Sequence, residues 1–402
     1  MKKQLLIIGG GFAGFWAAMS AIRQSREIGK QDEVEIILVN KDNYFTIRPR
    51  LYEVSLDGVR ISLDHYCKPL GINLILGEVE RIDPDKNEAT VFTVHGVRTL
   101  HYDYVILATG GTLKAVNIPG IEYTQNIDVF DNAQRLEDHI VALAKNDFAE
   151  DGASTVIVAG AGFTGLEAVT SIEEKLIALR DRYSSKKTQF NVILIDRGDV
   201  LGGFFSPEGQ RYIADACANK NIEVIAGTEI TAIEPSLVHL ANGQSIPSRT
   251  VIWTVGMVAS SLTQFFKGER DNQNRLMVDT YLKLPGYDNV IIAGDVANVS
   301  VDNGHTAVMA CQYTQFMGRW AGHNAINDMF GIPVKEYIQN GYATCLDLGL
   351  DHALYTTGWE RTVDHSGYKA RETKKQINTV LLYPNENIEA TLVSSKPEIP
   401  QF

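Results

Sequence analysis

An α/β fold built on two repeated units of strand, glycine turn and helix, closed by a small C-terminal α/β cap, is what this sequence predicts. Three observations carry the prediction. "KKQLLIIGGGFAGFWAAMSAIR" runs from an apolar strand through a glycine turn into a helix, and "STVIVAGAGFTGLEAVTSIEEK" repeats that order from Ser154. Each unit is followed by a second apolar run, "EIILVN" and "FNVILID". Three later segments, "YDYVILATGG", "SRTVIWTVGM" and "YDNVIIAGDV", are buried-strand patterns ending in small residues, as parallel strands covered on both faces require.

The 402 residues, 45% of them hydrophobic, are enough for two or three ordinary globular domains. A balance of 37 basic against 49 acidic residues, net −12, argues against a nucleic-acid partner and against general affinity for anionic membranes. Cys67, Cys217, Cys311 and Cys345 form no CxxC pair. Neither a zinc site nor a redox dithiol is therefore expected, and a reducing cytoplasm fits this usage. The opening "MKK" and the apolar run to Ile22 resemble a signal peptide. Gly9, Gly10, Gly11 and Gly14 would each weaken an inserted helix by roughly 1 kcal/mol, and they fall where a strand must turn sharply into a helix. No other stretch approaches the ~20 apolar residues of a membrane span, so no integral membrane segment is expected.

In the first unit the turn comprises Gly9, Gly11, Phe12, Ala13 and Gly14; in the second, Gly160, Gly162, Phe163, Thr164 and Gly165. The first glycine makes the turn, the second lets backbone N–H groups approach a pyrophosphate, and the third lets the helix pack on the strand. The helix N-terminus then faces the phosphate charge. Two such units predict two Rossmann-like dinucleotide-binding domains. A ribose is usually read by an acid at the end of the second strand. Asp196, 31 residues after Gly165, is that acid; it favours NADH over NADPH, while Arg197 is the feature that would admit a 2′-phosphate. The first unit carries Asn40 instead, 26 residues after Gly14. Its amide accepts one hydroxyl hydrogen bond and donates another, with Lys41 free to cover the adenosine phosphate side. Asp295, directly after Gly294, suits a flavin's ribityl chain. Thr109, Gly110 and Gly256 close the other two strands as supporting signals.

The order GGGFAG, ATGG, GAGFTG, TVGM, AGD resembles the two-dinucleotide-binding flavoprotein superfamily that includes glutathione-reductase-like enzymes, over about residues 1–330. "NYFTIRPRLYEV" and "GAGFTGLEA" are most similar to type II NADH dehydrogenases, the single-subunit NADH:quinone oxidoreductases. The resemblance implies FAD on the first loop and NAD(P)H on the second. It implies an FAD domain of residues 1–115 and 250–330, an NAD(P)H domain of 116–249, and a cap of 331–402. It places Glu167 in the first turn of the second nucleotide helix, near both rings, to position NADH or assist proton movement. Pro49 and Tyr52 match the segment that approaches the flavin. Arg48 and Arg50 depart from the Gln and Leu usual there and imply a different acceptor, an electrostatic hold on the flavin, or plain surface charges. Gln312, in "HTAVMACQYTQFMGRWAG", falls at the quinone-proximal glutamines, with Tyr313 and Met309 expected in the core. The cationic face of "YKARETKKQIN" reads either as a solvated charge cluster or as a helix that brings Lys374 or Lys375 towards the flavin. The ending "INTVLLYPNENIEATLVSSKPEIPQF" reads as strand-like, without the basic amphipathic helices of those enzymes, so the cap is the expected homodimer surface.

The function implied is hydride transfer from NADH to FAD and then reduction of a small quinone-like acceptor. Two alternatives stand beside it: an electron-transfer flavoprotein like ferredoxin or rubredoxin reductases, and an FAD- and NADH-binding redox sensor with slow turnover. The cysteine spacing excludes a disulfide-reductase mechanism.

Overall fold

The computed structural model describes residues 2–349 and 352–399. Lys3–Ile8, Val34–Asn40, Asn73–Leu76, Tyr104–Leu107 and Val290–Ile292 form one parallel sheet, with Lys3–Ile8 at its centre. Thr155–Ala159, Asn191–Ile195, Glu223–Ile225 and Thr250–Trp253 form a second parallel sheet. Each is accompanied by a three-stranded antiparallel meander, Glu78–His101 in the first case and Ile230–Pro247 in the second. The inner strands are buried on both faces, and the edge strands Asn73–Leu76 and Glu223–Ile225 are partly exposed. In the second sheet Val156, Val158, Val192, Leu194 and Ile252 enter one core, while Ile157, Ala159, Ile193, Ile195, Val251 and Trp253 enter another. Near-continuous apolar runs are what a sheet covered on both sides demands.

Thr250–Trp253 pairs with Thr155–Ala159, so the return to the first sheet expected at about residue 250 was read one strand too early. The crossing lies just beyond. Gly111–Leu113 on the way out pairs antiparallel with Met257–Ala259 on the way back. An apolar run ending in glycine carries no mark of which sheet it joins, and its partner is fixed only by tertiary pairing.

Two helices set the first site. Phe12–Glu27 follows the first glycine turn, and Cys311–Met329 crosses it so closely that a Cβ on Gly318 would lie 2.2 Å from the Ala13 carbonyl oxygen, and one on Gly322 2.1 Å from that of Ala17. Glycine here allows backbone contact. The crossing also buries His323, 3.3 Å from the Arg23 guanidinium. Burial, then the charges of Arg23 and Lys335, push its imidazole down to about 4. The unfolded chain therefore takes up a proton below the ordinary histidine range that the native protein refuses until about pH 4. Stability should fall by about 3 kcal/mol as pH drops from about 6.5 to 4. His323→Gln should flatten that segment of a denaturation-versus-pH curve; an unchanged slope would remove His323 as the cause.

The cap begins with a three-stranded antiparallel sheet, Ala343–Asp347, Ala353–Thr357 and Thr362–Ser366. Helix Tyr368–Gln376 follows, then a π-helical turn Ile377–Leu381 and helix Ile388–Ser394. The strand-like reading of "INTVLLY" is thus corrected. The run continues the preceding helix because Asn378 is drawn inward to Tyr52 and Glu53, a tertiary contact that overrides β-propensity. Among the described residues no helix is long and apolar enough to cross a membrane.

Candidate cofactor and active site

Both glycine loops have the same construction. A Cβ on Gly14 would stand 1.7 Å from the Gly9 carbonyl oxygen, and one on Gly165 1.8 Å from that of Gly160. Gly11 and Gly162 face open space. The helices Phe12–Glu27 and Phe163–Tyr183 have no side-chain cap and no acid in the first turn. Their first hydrogen bonds are Phe15 N–H to Gly11 and Leu166 N–H to Gly162. The N–H groups of residues 12–14 and 163–165 therefore lie outside the helical ladder, beside an open glycine, in the arrangement that receives phosphate.

The strand-end residues clamp these loops. Asn40 Oδ1 accepts from Gly10 N–H at 2.9 Å, and Asp196 Oδ2 accepts from Ala161 N–H at 2.7 Å, the equivalent position of the second loop. Asp196 Oδ1 also accepts from Gly198 N–H at 2.7 Å, and Asn40 Nδ2 donates to the Asp42 carbonyl at 2.9 Å. Asn40 is thus first a loop clamp, with its NH₂ already engaged by the chain. Lys41 is not free either, since it pairs with Glu78 at 2.7 Å on the surface. Arg197 is exposed.

Among the described residues, two enclosed oxygens at the mouth of the first sheet have no partner: Asp295 Oδ1, after Gly294, and Thr109 Oγ1, before Gly110. Burial raises the Asp295 carboxyl above the ordinary range, with Arg48 and the Gly111 backbone opposing. Enclosed oxygens without partners are expected where a bound group supplies them. With the open glycine loop, they fit a flavin dinucleotide along Gly9–Gly14 and past Thr109 and Asp295.

The second concentration of chemistry is where three segments meet. Glu167 is the fifth residue of Phe163–Tyr183, one turn deeper than the sequence placed it. Its charge is met by a side chain instead of the helix end: Lys374 Nζ lies 2.7 Å from Glu167 Oε1, both residues 7% exposed. Lys374 also donates to the Cys345 carbonyl at 3.1 Å, whereas Lys375 is exposed. Asp347 N–H donates to Glu167 Oε1 at 3.1 Å. The Asp347 carboxylate is held by the Tyr52 hydroxyl at 2.8 Å and by Arg371. Burial raises the Glu167 carboxyl, with Lys374 opposing. Burial would lower Lys374, but the Glu167 charge and hydrogen bond hold its ammonium above the ordinary value. The pair as a whole retains protons.

Pro49 lies in the turn Arg48–Arg50, and its two neighbours are not surface charges. Arg48 pairs with Asp128 and donates to the Gly111 carbonyl at 3.2 Å; Arg50 pairs with Glu53 at 2.6 Å and reaches Tyr383. They fasten the segment to the second unit and to the cap. Tyr313 is fully buried and Met309 packs on the same core. Gln312 sits in the first turn of Cys311–Met329, half-buried, its carbonyl accepting from Gln339 at 3.0 Å. Gly256 makes the left-handed bend of the return crossing, its carbonyl accepting from Lys114 N–H at 3.0 Å. All four cysteines are free thiols; burial pushes Cys311 up to about 11 and Cys345 up to about 12, so neither offers a thiolate. Asp347 and Arg371 carried no recognisable motif in the sequence.

The sequence profile of the family described as "Pyridine nucleotide-disulphide oxidoreductase" matches residues 3–311. The chain belongs to that family. It is an oxidoreductase in consequence, with relatives over nearly its whole length. It is 36% identical over 386 residues to an NADH dehydrogenase-like protein of Mycobacterium tuberculosis, covering 96% of this chain and 95% of the relative. It is 25% identical over 393 residues to a type II NADH:quinone oxidoreductase of Staphylococcus saprophyticus, covering 94% of each. The structure of NDH2 from Plasmodium falciparum in complex with NADH superposes with a TM-score of 0.81 over 98% of both chains at 15% identity, a likeness of fold. The family's disulphide chemistry has no cysteine pair here to perform it.

Proposed function

We propose that this oxidoreductase takes hydride from NADH and passes the electrons, through FAD, to a small quinone-like acceptor. The observation that carries the reading is the pair of open glycine loops, each clamped by its own strand-end residue, together with the buried pair that Glu167, on the helix of the second, makes with Lys374. FAD, when bound, supplies the redox chemistry. The chain's share is to hold and orient. The N–H groups of residues 12–14 and the oxygens of Thr109 and Asp295 hold FAD, with Gly110 leaving room beside them and Gly294 packed on Ala13. The N–H groups of residues 163–165 and Asp196 hold NADH. Glu167 and Lys374 keep a proton at the meeting of the two sites, available to an acceptor that needs one on reduction. Gln312, at the start of the adjoining helix, orients that acceptor. Residues 1–115 with the return from about 254 form the FAD unit, and the segment between them the NADH unit. Asp196 repels a 2′-phosphate, so NADH is preferred to NADPH.

Asp196→Ala tests the assignment of the loops. It should raise the KM for NADH roughly tenfold or more and leave flavin content unchanged, because a charge-assisted hydrogen bond is worth about 1.5–3 kcal/mol. Loss of flavin would mean that the two loops have been assigned in the wrong order.

A further inference from the structure

Arg361 closes the tight turn that joins cap strands Ala353–Thr357 and Thr362–Ser366, its N–H donating to Gly358 at 3.0 Å. Its side chain bridges the cap and the second unit. Nη1 donates to the Phe204 carbonyl at 2.8 Å and Nη2 to the Tyr342 hydroxyl at 3.0 Å, while Nε is enclosed without a partner. The guanidinium lies 5.9 Å from the ring of Phe163, 5.4 Å from Phe204 and 5.3 Å from Tyr342.

Among the described residues its charge has no carboxylate partner. Arg48, Arg50 and Arg371 each pair with a carboxylate, whereas among the described residues Arg361 has no acidic partner within ion-pair distance. Phe163 is the first residue of the second nucleotide helix, directly after the open Gly162. Arg361 therefore holds a cation against the ring of the first residue of a helix that has neither cap nor first-turn acid. A helix start is itself partly positive, and an anion bound there gains from a second positive charge nearby. The stacking on Phe163 and Phe204 fixes the guanidinium but cannot neutralise it.

We propose that Arg361 reaches across from the cap to bind the pyrophosphate of the pyridine nucleotide, so that the second glycine loop supplies one half of the phosphate site and the cap hairpin the other. The proposal rests on the reading that the second loop holds NADH. It makes the cap a part of the coenzyme site. The planar fork of arginine suits two phosphate oxygens, and lysine reproduces its charge without that geometry.

The test is equilibrium binding to the flavin-loaded protein of two probes, ADP-ribose, which carries the pyrophosphate, and adenosine, which does not. Arg361→Gln should weaken ADP-ribose about 10- to 100-fold, the loss of a charged hydrogen-bonding group, flatten the salt dependence of its binding, and leave adenosine unchanged. Arg361→Lys should recover part of the loss. Unchanged ADP-ribose binding overturns the proposal, and so does an equal loss for both probes, which would make Arg361 a fastening for the Phe204 loop only. If the unmodified protein takes up neither probe, the assignment of the second loop falls, and the proposal with it.

Discussion

Lys374→Met should lower turnover with NADH roughly a hundredfold at neutral pH, the lower end of what a positioned proton donor contributes, while flavin content stays the same. The reason is electrostatic. Glu167 and Lys374 are both 7% exposed and 2.7 Å apart. Removing one member of a buried pair leaves the other charge without compensation, a cost of about 3–5 kcal/mol that the survivor avoids by changing its protonation. Burial already raises the Glu167 carboxyl against the pull of Lys374; without Lys374 it rises further. The alkaline limb of the kcat/KM profile, which reports loss of that proton, should therefore move to lower pH in Lys374→Met, where only Glu167 is left to carry it, and also in Glu167→Gln, where Lys374 loses the charge that holds its ammonium up. Because the two residues act as one unit, the double variant should lose much less than the product of the single losses. Independent, multiplicative losses would contradict the reading of the two residues as one unit.

The second large effect separates the two loops. Gly14→Ala would place a methyl 1.7 Å from the Gly9 carbonyl oxygen, and Gly165→Ala one 1.8 Å from that of Gly160. Neither is relieved by a side-chain rotation, since the obstructing atom is backbone. Each should strain its turn by about 1–3 kcal/mol or more and move the N–H groups that receive phosphate. Gly14→Ala should be purified colourless. Gly165→Ala should keep the flavin absorbance and lose its response to NADH. The reverse pattern would exchange the roles of the loops.

These two experiments draw on what was legible in the sequence to different degrees. The glycine loops were readable because turn, approach and packing each demand glycine at a fixed spacing. Both units fold as their strand, turn and helix order required, and Gly11 and Gly162 face open space as the second glycine should. Asn40 was readable as a ribose position but not as a clamp, because the bond from Gly10 depends on how the turn is closed in three dimensions. The cap was largely opaque. Asp347 and Arg371 become meaningful only when the cap folds over the second nucleotide helix. The partners of Asp347 outside the cap, Tyr52 and Glu167, lie 295 and 180 residues earlier, so no local pattern announces the contact. Lys374 was singled out only as one lysine of a cationic helix. Its burial follows from the turn of Tyr368–Gln376 that places Ala370 and Lys374 inward, one helical turn apart.

The central claim is that an electron-transfer flavin site and an NADH site meet at Glu167 and Lys374. Mixing the purified, FAD-loaded protein anaerobically with NADH in a stopped-flow instrument, then with a soluble quinone, tests it most directly. The account predicts loss of the flavin absorbance within milliseconds to seconds and its return with the quinone at many turnovers per second. A protein that stays colourless after FAD is added would contradict the cofactor assignment. Rapid loss followed by recovery over minutes in every acceptor tried would contradict the enzyme and leave a redox sensor in its place.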